Sequence, residues 1–237
     1  EEFHQAMAFG YVLFQGYFFC KPAILHQKKL TSNALSRMRL LKEINRQNVD
    51  FASMTNIISS DTNLVHKLLT YINSAGIGLL NHVSNLKQAT VLLGASGVKR
   101  WVTLISLQTF SEDKPPELFT LSLLRAKFCE LIAGELKRPG LTQDAGFLIG
   151  MFSLLDVLLM LPMEEVLKEV ALADDLNAAL LGEDNDLRRI LDLVIAYEKG
   201  DWDKVIACCE REHIPVDHLK PKYDAVLEWY NALQSVS

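Results

Sequence analysis

Glycine and proline are scarce, 12 and 7 in 237 residues, and that scarcity excludes a chain made largely of turns or of disordered linker. Basic charge is in deficit as well. With 24 Lys and Arg against 29 Asp and Glu, a net charge of -5 argues against broad binding to nucleic acid, whose phosphates call for a basic face. Beyond the opening residues no apolar run reaches the roughly 20 residues that cross a bilayer. The longest, Phe147 to Leu161, is interrupted by Asp156 and reads as a buried helix. Cysteine is too sparse for a disulfide framework: Cys20, Cys129, Cys208 and Cys209 form no C-x-x-C pair, and adjacent Cys208 and Cys209 cannot share one partner from a helix. Reduced thiols and a cytoplasmic setting are the expectation. No cleavable leader is visible either, because Gly10 to Leu25 lacks a basic start and a small-residue cleavage site.

What is present is 49% hydrophobic residues, ample for a large core. The opening stretch "GYVLFQGYFFCKPAIL" is dense in aromatic and branched residues and ends at a proline, so it reads as a buried strand whose neighbours lie in another chain or upstream of Glu1. After Pro22 the spacing becomes helical. "SNALSRMRLLKEINRQ" puts Ala34, Met38, Leu41 and Ile44 on one face. "DTNLVHKLLTYINSAG" has Asp61 as N-cap, Leu64, Leu68 and Ile72 at intervals of four, and Gly76 as its stop. "NLKQATVLLG" repeats the device from Asn85 to Gly94, and "SGVKRWVTLISLQTF" begins another helix. Pro115 and Pro116 end one segment and open the next, from Glu117 to Arg138, and make residues 112–116 the candidate break between subdomains. "RPGLTQDAGF" reads as a loop, and Asp174 to Ser237 as three or four further helices punctuated by Gly182, Gly200 and Pro215. There is no internal repeat and no low-complexity tract. The pattern predicts an all-α bundle.

Two of these segments, "DTNLVHKLLTYINSAGIGL" and "VSNLKQATVLLGASGVKRWV", resemble the signature of the HDOD domain, an output module distantly related to the HD phosphohydrolases. "DAGFLIGMFSLLDVLLMLPMEEVL" and "AYEKGDW" extend the resemblance, which implies an HDOD-like all-helical domain over residues 29–237. "FGYVLFQGYFFCKP" resembles the last strand of an EAL-type cyclic-diguanylate phosphodiesterase barrel, which implies a helix-strand barrel remnant over residues 1–28.

An HD hydrolase needs a His, an adjacent His-Asp pair and a further Asp to hold the metal that activates water. Where the family pattern expects "GLLHDIG" this chain has "GMFSLLD", with Ser153 at the histidine, Leu154 at the aspartate and Asp156 at the glycine. The six histidines, His4, His26, His66, His82, His213 and His218, have no ligand spacing. Gln15 matches the EAL glutamine near the nucleotide, but the metal carboxylates of that family come from earlier strands, so a polar residue ending a packed strand is the expectation. The sequence therefore assigns no catalytic, cofactor-binding or metal-ligating residue and no cofactor.

Other features read as structural. Lys28, Lys29, Arg37, Arg39, Lys42 and Arg46, opposed only by Glu43 locally, read as a solvated helix face. Asp184 and Asp186 fail as a calcium loop on ligand count, since Arg188 stands at the fifth loop position and the loop glycine is absent, and suit a helix start. Asn73 and Ser74 read as backbone caps. Asp156, a carboxylate among leucines, needs a partner, and a hydrogen bond to a neighbouring helix end is expected. Trp101, Trp202 and Trp229 read as helix anchors, an exposed one marking an interface. The functional expectation is a non-catalytic signal transduction module acting through protein partners and linked to cyclic-diguanylate signalling. Homodimerisation is one way to cover the opening strand, and a cyclic dinucleotide would bind only with an intact upstream barrel. The alternatives are a divergent metal-dependent phosphohydrolase whose metal site is assembled from Asp156, a scattered histidine and other carboxylates, and a nucleotide sensor using the degenerate groove.

Overall fold

The computed structural model describes residues 31–46, 49–73 and 82–234, and the strand and barrel remnant expected over residues 1–28 lie outside them. The described residues form twelve α-helices, one 3-10 helix and no strand. The first three helices are α1 (Ser32–Asn45), α2 (Phe51–Ser59) and α3 (Thr62–Ile72), followed by a long α4 (Leu86–Phe110). Next come α5 (Pro116–Leu136), α6 (Gln143–Phe152), α7 (Leu155–Leu159) and α8 (Met163–Val170). The chain closes with α9 (Asp174–Leu180), α10 (Asp186–Lys199), α11 (Trp202–Glu212), the 3-10 turn Val216–His218 and α12 (Leu219–Gln234). No described helix is long and apolar enough to cross a membrane.

The apolar stripes choose the buried faces. Ala34, Met38, Leu41 and Ile44 of α1 are all buried, as are Leu64, Leu68 and Ile72 of α3. Asp61 caps α3, accepting from the N–H groups of Asn63 and Leu64 at 2.9 and 3.3 Å, a contact worth about 1 kcal/mol. The helix stops at Ile72, earlier than the glycine stop expected at Gly76, which lies outside the described residues. Asn85 caps α4 through the N–H of Gln88 at 2.8 Å. Gly94 breaks that element into the two helices expected: its φ of 67° and ψ of 178° belong to a region only glycine occupies readily, although a Cβ there would meet nothing within 4 Å.

Two expectations fail in the middle of the chain. The helix α6 starts at Gln143, inside the expected loop, because the Thr142 hydroxyl accepts from the N–H of Ala145 at 3.0 Å and opens a helix there. The apolar run Phe147 to Leu161 is not one helix: α6 ends at Phe152 and α7 begins at Leu155. Ser153 breaks it by turning its hydroxyl onto the Gly150 carbonyl at 2.6 Å, a local bond that competes with the helix ladder.

The α5–α6 crossing is the most extensive helix contact among the described elements. It is close because small residues face each other. A Cβ on Gly150 would lie 2.5 Å from the Ala126 Cα and 2.6 Å from the Arg125 carbonyl oxygen, and one on Gly146 would lie 2.7 Å from the Cys129 carbonyl oxygen. Those neighbours are backbone and cannot step aside. On the far side of α5, the rings of Phe128, Tyr197 and Tyr223 cluster with centroids 5.2–5.4 Å apart and bring α10 and α12 against it. Cys129, Cys208 and Cys209 are buried free thiols, and burial pushes Cys209 up to about 11, well away from the reactive thiolate.

Gly150→Ala should lower unfolding stability by about 3 kcal/mol, an overpacking cost at the upper end of its usual range, because the added methyl meets backbone on α5. Chemical denaturation measures it; a loss below about 0.5 kcal/mol would show that the helices separate freely.

Candidate functional site

The break between α6 and α7 is where a hydrolytic centre would need its histidine and aspartate. Ser153 occupies it, held by the Gly150 bond, with Leu154 buried behind it. The side chain facing Ser153 comes from α5. Arg125 lies on the buried stripe shared by Ser122, Ala126 and Cys129 and points its guanidinium at the break. Its Nη1 donates to Ser153 Oγ at 2.9 Å. Its Nε and Nη2 donate to the Glu198 carboxylate from α10, at 3.1 Å to Oε1 and 2.7 Å to Oε2. The Arg125 side chain is 3% exposed and that of Glu198 8% exposed, so both charges are out of water and answered by a two-point contact.

Chemically this is a closed arrangement. Ser153 Oγ accepts a hydrogen bond from Arg125 and donates its own O–H to the Gly150 carbonyl, so neither of these two partners is a base that could activate it as a nucleophile. A guanidinium stays charged at all ordinary pH and cannot serve as a metal ligand. Its positive charge also opposes a second cation beside it. Among the described residues no three His, Cys, Asp or Glu side chains are grouped closely enough to hold a metal ion.

Asp156 lies in the first turn of α7, half-buried. Burial raises its carboxyl above the usual range, more than the N–H groups of Val157 and Asp156 and the charge of Arg125 lower it; Glu164 adds a smaller upward push. The helix start that serves it is its own, not a neighbour's. Asn73 is a cap, as expected, and a bridge as well. Its Nδ2 donates to the carbonyls of Leu69 and Val83 and its Oδ1 accepts from the N–H of Val83, all at 2.8 Å, while Ser74 lies outside the described residues. The basic stretch is less open than a solvated face. Arg37 meets Asp61 at 3.4 Å, Lys42 meets Glu169 at 3.2 Å and Arg46 meets Glu43 at 2.9 Å, with Lys28 and Lys29 outside the described residues. Asp184 and Asp186 are engaged by Arg189 and Arg138, and Asn185 between them caps α10. His218 pairs with Glu135 at 2.5 Å, and His213 closes α11 in the left-handed region at φ 58°. Trp101 is buried and Trp229 half-buried, while Trp202, 55% exposed, lays an edge on Tyr197 with centroids 5.6 Å apart.

The HDOD domain family model matches residues 31–180 of the chain. The chain belongs to the HDOD family. It is 35% identical over 98% of its length to YuxH of Bacillus subtilis (strain 168), itself uncharacterised. It is 37% identical over 88% of its length to the cyclic di-GMP phosphodiesterase CdgJ of Vibrio cholerae serotype O1. The chain spans 57% and 48% of these two relatives, about half of each. A solved structure from Marinobacter aquaeolei VT8, of a protein provisionally assigned to signal transduction, shares the fold. Its TM-score is 0.61 at 12% identity, over 99% of this chain and 64% of that one. Within the HDOD match lie Arg125, Ser153 and Asp156; Glu198 and the helices α10 to α12 follow it.

Arg125 and Glu198 are the residues that sequence reasoning missed. The signal was an arginine inside "LSLLRAKF", at a position whose helical neighbours at three and four residues are apolar or small. Asp156 was singled out correctly as costly. Because its folded-state pKa is raised, its ionised form costs stability above that value, and the cost is relieved as pH falls through it. Asp156→Asn should therefore raise Tm at neutral pH, with the gain vanishing once pH falls below the unfolded carboxylate range. A gain that persists at low pH would show that the charge is not its cause.

Proposed function

We propose that this HDOD chain is a non-catalytic signalling module that acts by binding other proteins. The observation that carries the reading is the Arg125 guanidinium donating to Ser153 Oγ at 2.9 Å, because it fills the place of hydrolytic chemistry with a fixed positive charge. Two apolar side chains one turn apart on α11, Trp202 and Ile206, are exposed and give a partner something to bury. The name of CdgJ supports a link to cyclic-diguanylate signalling. On the sequence resemblance alone, residues 1–28 are the end of an EAL-type barrel, which would place this module directly after the nucleotide-handling part of a longer protein.

The first test is enzymatic. The purified chain with Mg2+ or Mn2+ should show no turnover of cyclic diguanylate or of bis(4-nitrophenyl) phosphate above the buffer rate. Turnover lost on Asp156→Ala would establish the phosphohydrolase alternative instead. Cyclic diguanylate should also leave Tm unchanged, whereas a dose-dependent rise would favour nucleotide sensing in the degenerate groove. The second test concerns the surface. Changing Trp202 to Ala and Ile206 to Ser in the full-length protein should reduce the amount of partner co-purified from the native cell without lowering Tm; an unchanged yield would remove α11 from the interface.

A further inference from the structure

The two ends of the buried ion pair belong to different parts of the chain. Arg125 is in α5, within the residues matched to the HDOD model, and Glu198 is in the last turn of α10, beyond them. The remaining contacts between these parts include the ring cluster of Phe128, Tyr197 and Tyr223, which is apolar and weakly directional, and ion pairs at the C-terminal end of α5, where Arg138 meets Asp186 and Glu212 and Glu135 meets His218 and Lys222. A bidentate guanidinium–carboxylate contact is directional: it fixes the rotation of α10 about its axis as well as its distance. Two residues after Glu198 the chain leaves α10 through Gly200 at φ 67° and enters α11 at Trp202. Fixing Glu198 therefore aims α11.

We propose that Arg125 acts as a built-in cation that sets the docking of the C-terminal helices α10 to α12 on the HDOD core. The degenerate centre is then a joint. Arg125 engages Ser153 at the α6–α7 break with one nitrogen and Glu198 with two, so the geometry of the break and the aim of α11 are held by one rigid planar group. The inference does not depend on the absence of catalysis, and its test reads docking, not turnover.

A buried ion pair and a well-packed apolar pair of similar volume are close in stability, so replacing one by the other separates the orienting role proposed for the pair from its contribution to stability. The test is hydrogen exchange on the whole chain carrying R125M together with E198M. Tm should stay within about 5 °C of the unmodified chain, as expected for an apolar replacement. Amides of α10 to α12 should exchange at least about tenfold faster while those of α2 and α4 keep their rates, since local opening can change without global unfolding. Unchanged protection in α10 to α12 would overturn the proposal in favour of packing and the Arg138 and Glu135 ion pairs, and an equal loss in α2 and α4 would overturn it in favour of general destabilisation. E198Q keeps the size and one acceptor oxygen and guards against a double variant that fails to fold. It should speed exchange in α10 to α12 by a smaller factor, and wild-type rates there would overturn the proposal equally.

Discussion

A positive charge buried in a helical protein must be answered by oxygen, and in this chain the answer to Arg125 determines what the middle of the molecule can be. Leaving a guanidinium unpaired in that position would cost several kcal/mol. Glu198 supplies the carboxylate and Ser153 the hydroxyl, so residues from α5, the α6–α7 break and α10 are committed to one point. Each is then unavailable for another task. The serine hydroxyl and the carboxylate both accept from the same guanidinium.

The close α5–α6 crossing is what allows this. Arg125 and Ala126 present bare backbone to Gly150, and three residues later Ser153 turns out of α6 within reach of the guanidinium. Were Gly150 any larger residue, the helices would stand apart and the 2.9 Å bond to Ser153 would open. The small residues and the buried charge are thus one device. Local bonding at Ser153 stops the helix, close packing brings the arginine, and the arginine reaches the last turn of α10.

Much of the fold was legible because helix ends and stripes are local. Asp61, Asn85, Gly94, Gly182, Gly200 and the Pro115–Pro116 pair all mark boundaries with their own chemistry, and the α1 and α3 stripes name their buried residues from spacing alone. The Phe147 to Leu161 run misled because hydrophobicity does not distinguish one buried helix from two. The break is made by a single serine hydroxyl, whose alternative bond cannot be read from composition. The site was half legible. Absence of the His-Asp pair and the cost of Asp156 both follow from residue identity. The Arg125–Glu198 contact joins positions 73 residues apart, and nothing in either local pattern names the other. The acids that answer Arg37 and Lys42 escaped for the same reason: Asp61 caps α3 and Glu169 is on α8, both away from α1.

The central claim of the proposed function is that the Arg125 guanidinium stands where a divalent metal would otherwise bind. The most direct measurement is side-chain NMR of Arg125 in the nitrogen-15-labelled chain during titration with Mn2+. The account predicts a resolved Arg125 Nε–H resonance that exchanges slowly with water and keeps its intensity through the titration. Selective paramagnetic loss of that resonance and of the Ser153 and Asp156 signals, at Mn2+ concentrations that leave the rest of the spectrum intact, would contradict it.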